Sequence, residues 1–582
     1  MTIQIPTKLN SPVDIADLAT LANAFFRALP GDTIDSALPI HAQTVASSPV
    51  QSLLPAQSPT QSIAPQSIPP QPSNAVEPFG FYGGVSPQAF GLPTEAQLRD
   101  LLIDEPHYGR GLIGQAPSTA PPLNLSSLPA SSQDPFVQPG LKPQQATGAY
   151  YFLSETGPWS NALLKTDESG QHSNSTLDVN AIRRDFPILT ERVNGKPLVW
   201  FDNAATTQKP QVVMDRLNYF YRHENSNIHR AAHELAARAT DAYENARQTV
   251  ADFLGAASSE EIIFLRGATE AINLLANTFG EQCVQAGDDI IVSQLEHHAN
   301  IVPWHNLATR KGAHLKVIPV DDSGQLQLSA LRNLIGPRTK LIAVTQVSNA
   351  LGTVTPINEI IQIAHQAGVP VMVDGAQAVS HMQVNVQALD ADFYVFSGHK
   401  VFGPTGIGVL YGKSRWLQQI PHWQGGGNMI ADVTFEKITY QQAPNKFEAG
   451  TGNIADAVGL AAAIDYVNSI GLNAIHAYEH ELLTYATAGL RNIPGLRLIG
   501  TATQKASVAS FVLAGYANEQ VGKQLNEEGI AVRSGHHCAQ PILRRMGVET
   551  CVRPSLAFYN TFDEIDRMLS VLSRLAGKNR LY

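Results

Sequence analysis

The sequence predicts an α/β fold: a mostly parallel large-domain sheet followed by a smaller C-terminal α/β domain. Three observations carry this. From residue 198 onward, short apolar runs alternate with helical stretches or short turns, the pattern of strands laid side by side in parallel. Several of those runs end in small or polar residues, and parallel sheets gather their ligands beyond such strand ends. Before residue 177 the texture differs, with tracts rich in Pro, Ser, Gln and Ala such as Gln51–Pro72 and Ala116–Gln144. Such tracts bury too little apolar surface to offset chain entropy, so residues 1–176 are expected to be a largely disordered extension.

That extension carries apolar islands. Ile15–Leu29 puts Leu18, Leu21, Ala22, Phe25, Phe26 and Leu29 on one helical face. Further islands lie at Phe79–Leu102 and Gly148–Leu153. They read either as short motifs that order on a partner or as residual clusters in a linker.

The 582 residues carry a net charge of -10, which argues against a general nucleic-acid surface. Lys8, Asp14 and Asp17 interrupt any secretory leader, and no uncharged apolar run is long enough for a bilayer, so no membrane association is expected. Cys283, Cys538 and Cys551 are too few for a disulfide framework, which points to a reducing cytoplasm.

The catalytic unit is expected to begin with a segment at 177–200. Leu177, Ala181, Ile182 and Phe186 share a helical face, and Pro187 ends it. The first strand is expected at Leu198–Asp202, followed by Asn203–Thr206, with a large domain over 201–465. Pro210 opens a long helix. Arg222–His233 then holds His223, His229, Arg230 and His233; without nearby Cys or carboxylate ligands, no metal site is expected, and these residues read as substrate-edge contacts or as ordinary surface residues.

Glu261–Phe264 is the next strand. Gly267–Thr269 follows at a helix start, where free amides and the helix dipole favour a phosphate. Asp289–Val292 leads to His297, an imidazole able to lie over a planar ring or to serve as a structural histidine. Leu315–Val320 and Thr339–Val344 are further strands. Asn349 beyond the second can donate to a carboxylate or simply shape a turn.

Pro370–Asp374 ends in a carboxylate, with Gln377 three residues on. Phe393–Ser397 leads into Gly398-His399-Lys400. A lysine at a buried strand end costs free energy unless it is paired or has chemical work; a Schiff-base lysine is one such role. Gly403–Gly408 is followed by the glycine run Gly425–Gly427, for which a plain flexible loop is one reading, and Lys446–Asn453 is a polar turn into a helix from Ile454 and another possible phosphate contact. The small domain, 466–582, has strands near Leu496–Leu498 and Ala509–Leu513. It also holds Arg533-Ser-Gly-His-His-Cys538 and, farther on, Arg553, a setting in which a thiol becomes a nucleophile. Cys283 and Cys551 read as structural.

Glu296–Trp304, Val373–Gln377, Ser397–Lys400 and Arg533–Cys538 stand in the order found in SufS-like cysteine desulfurases, class V pyridoxal-phosphate enzymes. The chain resembles that family over roughly residues 180–580. The resemblance implies the PLP-dependent transferase fold of type I and conversion of L-cysteine to L-alanine, with a persulfide on Cys538. It implies that Lys400 holds pyridoxal 5'-phosphate covalently, His297 stacks on its ring, and Asp374 pairs with the ring nitrogen. Gln377 would bond the phenolic oxygen, and Thr269, Ser397 and His399 the phosphate. Thr451 would reach the phosphate of a neighbouring subunit in a homodimer. Asn349, Arg533 and Arg553 would bind the substrate carboxylate or its surroundings, with His229 nearby. Gly452 departs from the proline common in relatives, leaving Thr451 intact.

The extension resembles those of desulfurases carried as encapsulin cargo, which implies a shell protein as partner and a place inside an encapsulin compartment. A SufE-like or SufU-like protein is the expected sulfur acceptor. Rival readings are a selenocysteine lyase or other β-eliminating enzyme that uses the same cofactor, and a non-catalytic docking scaffold.

Overall fold

The structure is a computed structural model that describes residues 177–229 and 233–578, all within one compact unit. The islands of the extension and Arg230 lie outside the described residues.

Seven strands form the main sheet: β1 (Ile262–Leu265), β2 (Asp289–Ser293), β3 (His314–Ile318), β4 (Thr339–Thr345), β5 (Val371–Asp374), β6 (Phe393–Ser397) and β7 (Gly408–Gly412). Their spatial order is 3-2-4-5-6-7-1. Neighbours from β3 to β6 run parallel, and β7 runs antiparallel to both β6 and β1. Side chains alternate between faces as the pleat dictates. Phe264, Val409, Tyr394 and Phe396 join one core; Ile263, Leu410, Phe393 and Val395 join the other.

Helices cover the sheet, as a sheet buried on both faces requires. α1 (Gln211–His223) and α2 (Glu234–Leu254) both pack against α4 (Ile454–Ile470), while α3 (Ala268–Leu275) lies on β6 and β7. α2 ends at Gly255, in the left-handed conformation that closes a helix without a Cβ clash. Among the described residues no single helix is long and apolar enough to cross a membrane.

A second sheet of four strands has the order β8 (Leu496–Leu498), β9 (Phe511–Leu513), β11 (Cys551–Arg553), β10 (Arg533–Gly535). With α5 (Leu472–Arg491) it builds a third core that also takes in Phe186, Val199 and Phe201. The opening segment of the catalytic unit therefore folds with the C-terminal elements.

Three expectations need correction. The strand expected at Leu198–Asp202 is only Val199–Trp200; it lies outside the main sheet and pairs in parallel with Ile530–Ala531. The first helix is Val179–Arg184, shorter than Leu177–Phe186, because the Asp178 carboxylate caps it by accepting from the Ala181 amide at 3.0 Å. No strand is expected from the sequence between Gly408 and Gly425, yet β7 lies there, its apolar centre Val409-Leu410-Tyr411 bracketed by glycines. Gly408 is required there: a Cβ on it would stand 2.3 Å from the Gly267 Cα. That contact seats the start of α3 against the end of β6.

Candidate active site

The carboxyl ends of β4, β5 and β6 open into one cavity of about 210 Å³. Eleven of the thirteen expected site residues line it: Thr269, His297, Asn349, Asp374, Gln377, Ser397, His399, Lys400, Arg533, Cys538 and Arg553. Thr451 and His229 do not.

Lys400 closes a single 3-10 turn, Gly398–Lys400, directly after β6. The turn is tied down through the His399 carbonyl, which accepts from the Thr207 amide at 3.1 Å and the Thr206 hydroxyl at 3.1 Å. Burial lowers the Lys400 pKa, and the Asp374 carboxylate opposes that shift. The ammonium has no hydrogen bond or ion pair among the described residues. Its removal from water thus favours the neutral, nucleophilic amine.

Asp374 ends β5 and is buried. Its Oδ1 accepts from the Ala376 amide at 3.0 Å, and burial raises its pKa. The Gln377 amide nitrogen donates to the Ala204 carbonyl at 2.6 Å, which fixes the side chain and leaves a second N–H free. The Ser397 hydroxyl oxygen accepts from the Ala268 amide at 2.9 Å, so its own proton remains to donate. Thr269 stands in the first turn of α3, beside that amide.

His297 accepts from the Ala299 amide at 3.0 Å through Nδ1, so its proton sits on Nε2. Burial first, then the positive charge of Lys400, brings its pKa down to about 4. The same two causes hold His399 at about 4. Beneath His297 lies Glu296, fully buried, accepting from the Ser293 hydroxyl, from Asn300 Nδ2 at 2.7 Å and from the Thr345 amide at 3.0 Å. Burial pushes its carboxyl up to about 8.

The thiol side is built differently. Cys538 follows β10 on a loop where His537 and Cys538 both have left-handed backbone, at φ 51 and 53. Non-glycine residues reach that region rarely, so the loop is strained. It is held by the Cys538 carbonyl, which accepts from the His298 amide at 2.8 Å, and by the Cys538 amide, which donates to His536 Nδ1 at 3.0 Å. The His298 and His536 rings stack with centroids 5.9 Å apart. Cys538 is half-buried. His537 donates from Nε2 to the Cys551 carbonyl at 3.1 Å, and burial lowers its pKa to about 3.

Three buried polar atoms around the cavity lack partners: Asn349 Oδ1, Arg553 Nε and His537 Nδ1. Unpaired buried polar atoms mark a place for a polar ligand. The Asn349 amide nitrogen donates to the His537 carbonyl at 2.7 Å, which leaves a second N–H, and its Oδ1 has no partner.

His229 and Thr451 belong to another cluster. His229 bonds Glu244 at 2.9 Å and Asn428 at 3.2 Å, and the Glu244 bond raises its pKa. The Thr451 hydroxyl donates to Asn227 at 3.4 Å. Through Glu244, which accepts from Arg247 Nε at 2.9 Å, His229 is joined to a buried knot in which Arg247 donates to Glu448 at 2.6 and 3.0 Å and Tyr243 donates to Glu448 at 3.0 Å.

Sequence reasoning gave no role to Asp202 or Glu296. Asp202 carried the signal used for Asp374, a carboxylate at the end of an apolar run. Glu296 carried none: Ser293 and Asn300 are near it in sequence, but its burial and its bond to the Thr345 amide appear only in the fold.

Comparison with known proteins adds a lineage. A family model described as aminotransferase class-V matches residues 199–568. The chain is 56% identical over 510 residues to a cysteine desulfurase of Synechococcus elongatus, a match covering 83% of this chain and 80% of that protein. It is 55% identical over 526 residues to a probable cysteine desulfurase of Mycolicibacterium paratuberculosis, covering 85% of this chain and 77% of that one. Among solved structures, the cysteine desulfurase CsdA of Escherichia coli superposes with a TM-score of 0.65 at 40% identity, over 69% of this chain and 99% of that chain.

Proposed function

The chain belongs to the class-V aminotransferase family, among its cysteine desulfurases, and from that premise we propose how its own residues divide the work. It is a pyridoxal-phosphate-dependent enzyme that turns L-cysteine into L-alanine by way of a persulfide. The observation that carries the assignment of roles is that Lys400 and Cys538, from different sheets, line one cavity with two arginines.

The donor set fits the cofactor. Lys400 offers an unpaired buried amine to its aldehyde. Asp374 offers a buried carboxylate to a protonated ring nitrogen, and the neutral ring of His297 suits the cofactor's face. The free N–H of Gln377 suits its phenolic oxygen. Thr269, Ser397 and His399, beside the first amides of α3, suit its phosphate. When bound, pyridoxal phosphate supplies an electron sink for charge that develops at the substrate Cα.

Lys400, with its amine in the cavity, would take the substrate's Cα proton. Arg533 and Arg553 hold the substrate carboxylate with paired N–H donors, with Asn349 bordering that subsite. The Cys538 thiolate attacks the substrate sulfur. The Cβ–S bond breaks, its electron pair stays with the carbon fragment, and sulfur remains on Cys538 as a persulfide. Protonation of the fragment completes alanine. His297, with its proton on Nε2, stays neutral above about pH 4.

Thr451 and His229, outside their own cavity, are assigned to the neighbouring subunit's site in a homodimer. A SufE-like or SufU-like acceptor collects the sulfur, for iron–sulfur assembly or storage. Residues 1–176 are assigned to docking on an encapsulin shell from a cytoplasmic setting. Their composition and apolar islands support this. The 83% coverage of the S. elongatus match exceeds what residues 177–582 alone can supply, so part of the extension is shared with that relative. The selenocysteine-lyase and scaffold readings gain no support from the relatives.

The test is a cysteine-to-alanine assay with the mass of Cys538 measured in parallel. Alanine formation with one added sulfur on Cys538 is expected; normal persulfide yield from a Cys538→Ala variant would sink the assignment. For the extension, deleting residues 1–176 is expected to abolish capture by a co-expressed shell, and undiminished capture would refute docking.

A further inference from the structure

Arg533 and Arg553 face each other across β10 and β11. Two like charges directly opposite on antiparallel strands repel. A single carboxylate stands between them. Asp202 Oδ1 accepts from Arg553 at 3.0 Å, and Asp202 Oδ2 accepts from Arg533 Nε at 3.1 Å and meets its terminal nitrogen at 3.1 Å. Asp202 comes from the segment after Val199–Trp200, which is fixed to the same domain by a bridge to Ser555. It is 9% exposed and does not line the cavity, whereas both arginines do. Arg553 is also held from its other side, where it donates to the Asn349 carbonyl at 3.1 Å; its Nε is buried without a partner.

We propose that Asp202 is a positioning residue for the carboxylate subsite: one carboxylate clamps both guanidinium forks from behind, turns their free edges to the substrate and leaves the subsite with a single net positive charge. This rests on the reading of the cavity as a desulfurase centre in which those arginines bind the amino-acid carboxylate. An arginine fork recognises a carboxylate through its plane, so orientation matters as much as charge. Two tethered forks bind without first giving up rotamer freedom, and the cost of that ordering moves from substrate binding to folding. The net charge also matches one carboxylate.

The experiment uses the full-length holoenzyme and compares wild type with Asp202→Asn and Asp202→Glu. Alanine formation from L-cysteine gives kcat and KM. A titration of the cofactor's visible absorption with L-alanine gives the affinity for a ligand with the same carboxylate and no sulfur. Asp202→Asn is expected to raise KM about tenfold and to weaken L-alanine by a similar factor, with kcat within about threefold of wild type. Asp202→Glu keeps the charge on a longer arm and is expected to fall between the two. Unchanged or tighter KM and L-alanine affinity in Asp202→Asn overturns the proposal, as does a loss confined to kcat. Should Asp202→Asn not fold, Asp202→Glu decides: a KM raised about threefold supports the clamp, and an unchanged KM overturns it. A wild-type enzyme that forms no alanine would fail the desulfurase reading itself, and the clamp with it. Wild-type turnover with an indifferent Asp202→Asn would fail the clamp alone.

Discussion

Lys400 and Cys538 share a cavity, but their surroundings are built on opposite plans. Lys400 stands in the turn directly after an interior strand of a seven-stranded sheet, and that turn is tied through the His399 carbonyl. Cys538 stands half-buried on a loop of left-handed residues, held by two backbone hydrogen bonds. The difference follows from what each must do. A group that anchors a cofactor gains from rigidity, since misplacement by an ångström is costly in rate. A group that takes sulfur in the cavity and gives it to a partner must be reachable from outside.

The sharpest way to break this contrast is to remove each nucleophile in turn. Lys400→Ala should lower alanine formation by about a thousandfold or more and abolish the cofactor's visible absorption. Cys538→Ala should lower cysteine turnover by about a hundredfold or more and leave that absorption intact. If both variants lose the absorption, the halves are not separable as described.

Glycines test the same contrast on stability. Gly408→Ala would press a methyl against Gly267 backbone at 2.3 Å, in the rigid half, and should cost about 1–3 kcal/mol in denaturant unfolding. Gly535→Ala, at the end of β10 just before the cysteine loop, with φ 131 and nothing within 4 Å, should cost only the dihedral penalty, about 1–3 kcal/mol, with no packing loss. Equal sensitivity of cofactor affinity to both changes would argue against a rigid and a loose half.

The smallest expected effect concerns pH. His297 and His399 are held at about 4 and His537 at about 3, against 6.5 for a free imidazole. A depressed folded-state pKa gives stability that is complete above the unfolded value and drains as pH falls through the folded one. The melting temperature should therefore decline from pH 6.5 toward pH 4. His537→Gln should flatten that decline while leaving the neutral-pH melting temperature lower.

The main-sheet strands were legible because each is an apolar run with a polar or small residue at its end. β7 was not, because glycines at 408 and 412 look like loop residues until the tight crossing with Gly267 is seen. Val199–Trp200 was legible as extended chain, but not its partner, since pairing with Ile530–Ala531 spans most of the catalytic unit. At the site, Lys400, Asp374 and Cys538 announced themselves by residue type and position. Thr451 and His229 were legible only as a polar turn suited to phosphate and as a candidate substrate-edge contact, and the neighbouring-subunit role of Thr451 came from resemblance, because neither reaches the cavity of its own chain. Asp202 escaped notice because its meaning depends on two arginines that stand more than three hundred positions later.

The bond from the His298 amide to the Cys538 carbonyl gears the two halves together. His298 adjoins the imidazole assigned to the cofactor's face, so a partner that draws Cys538 outward pulls on the floor of the cavity it is emptying. At 2.8 Å, that hydrogen bond makes the placement of the cysteine loop and the placement of the His297–His298 turn a single variable.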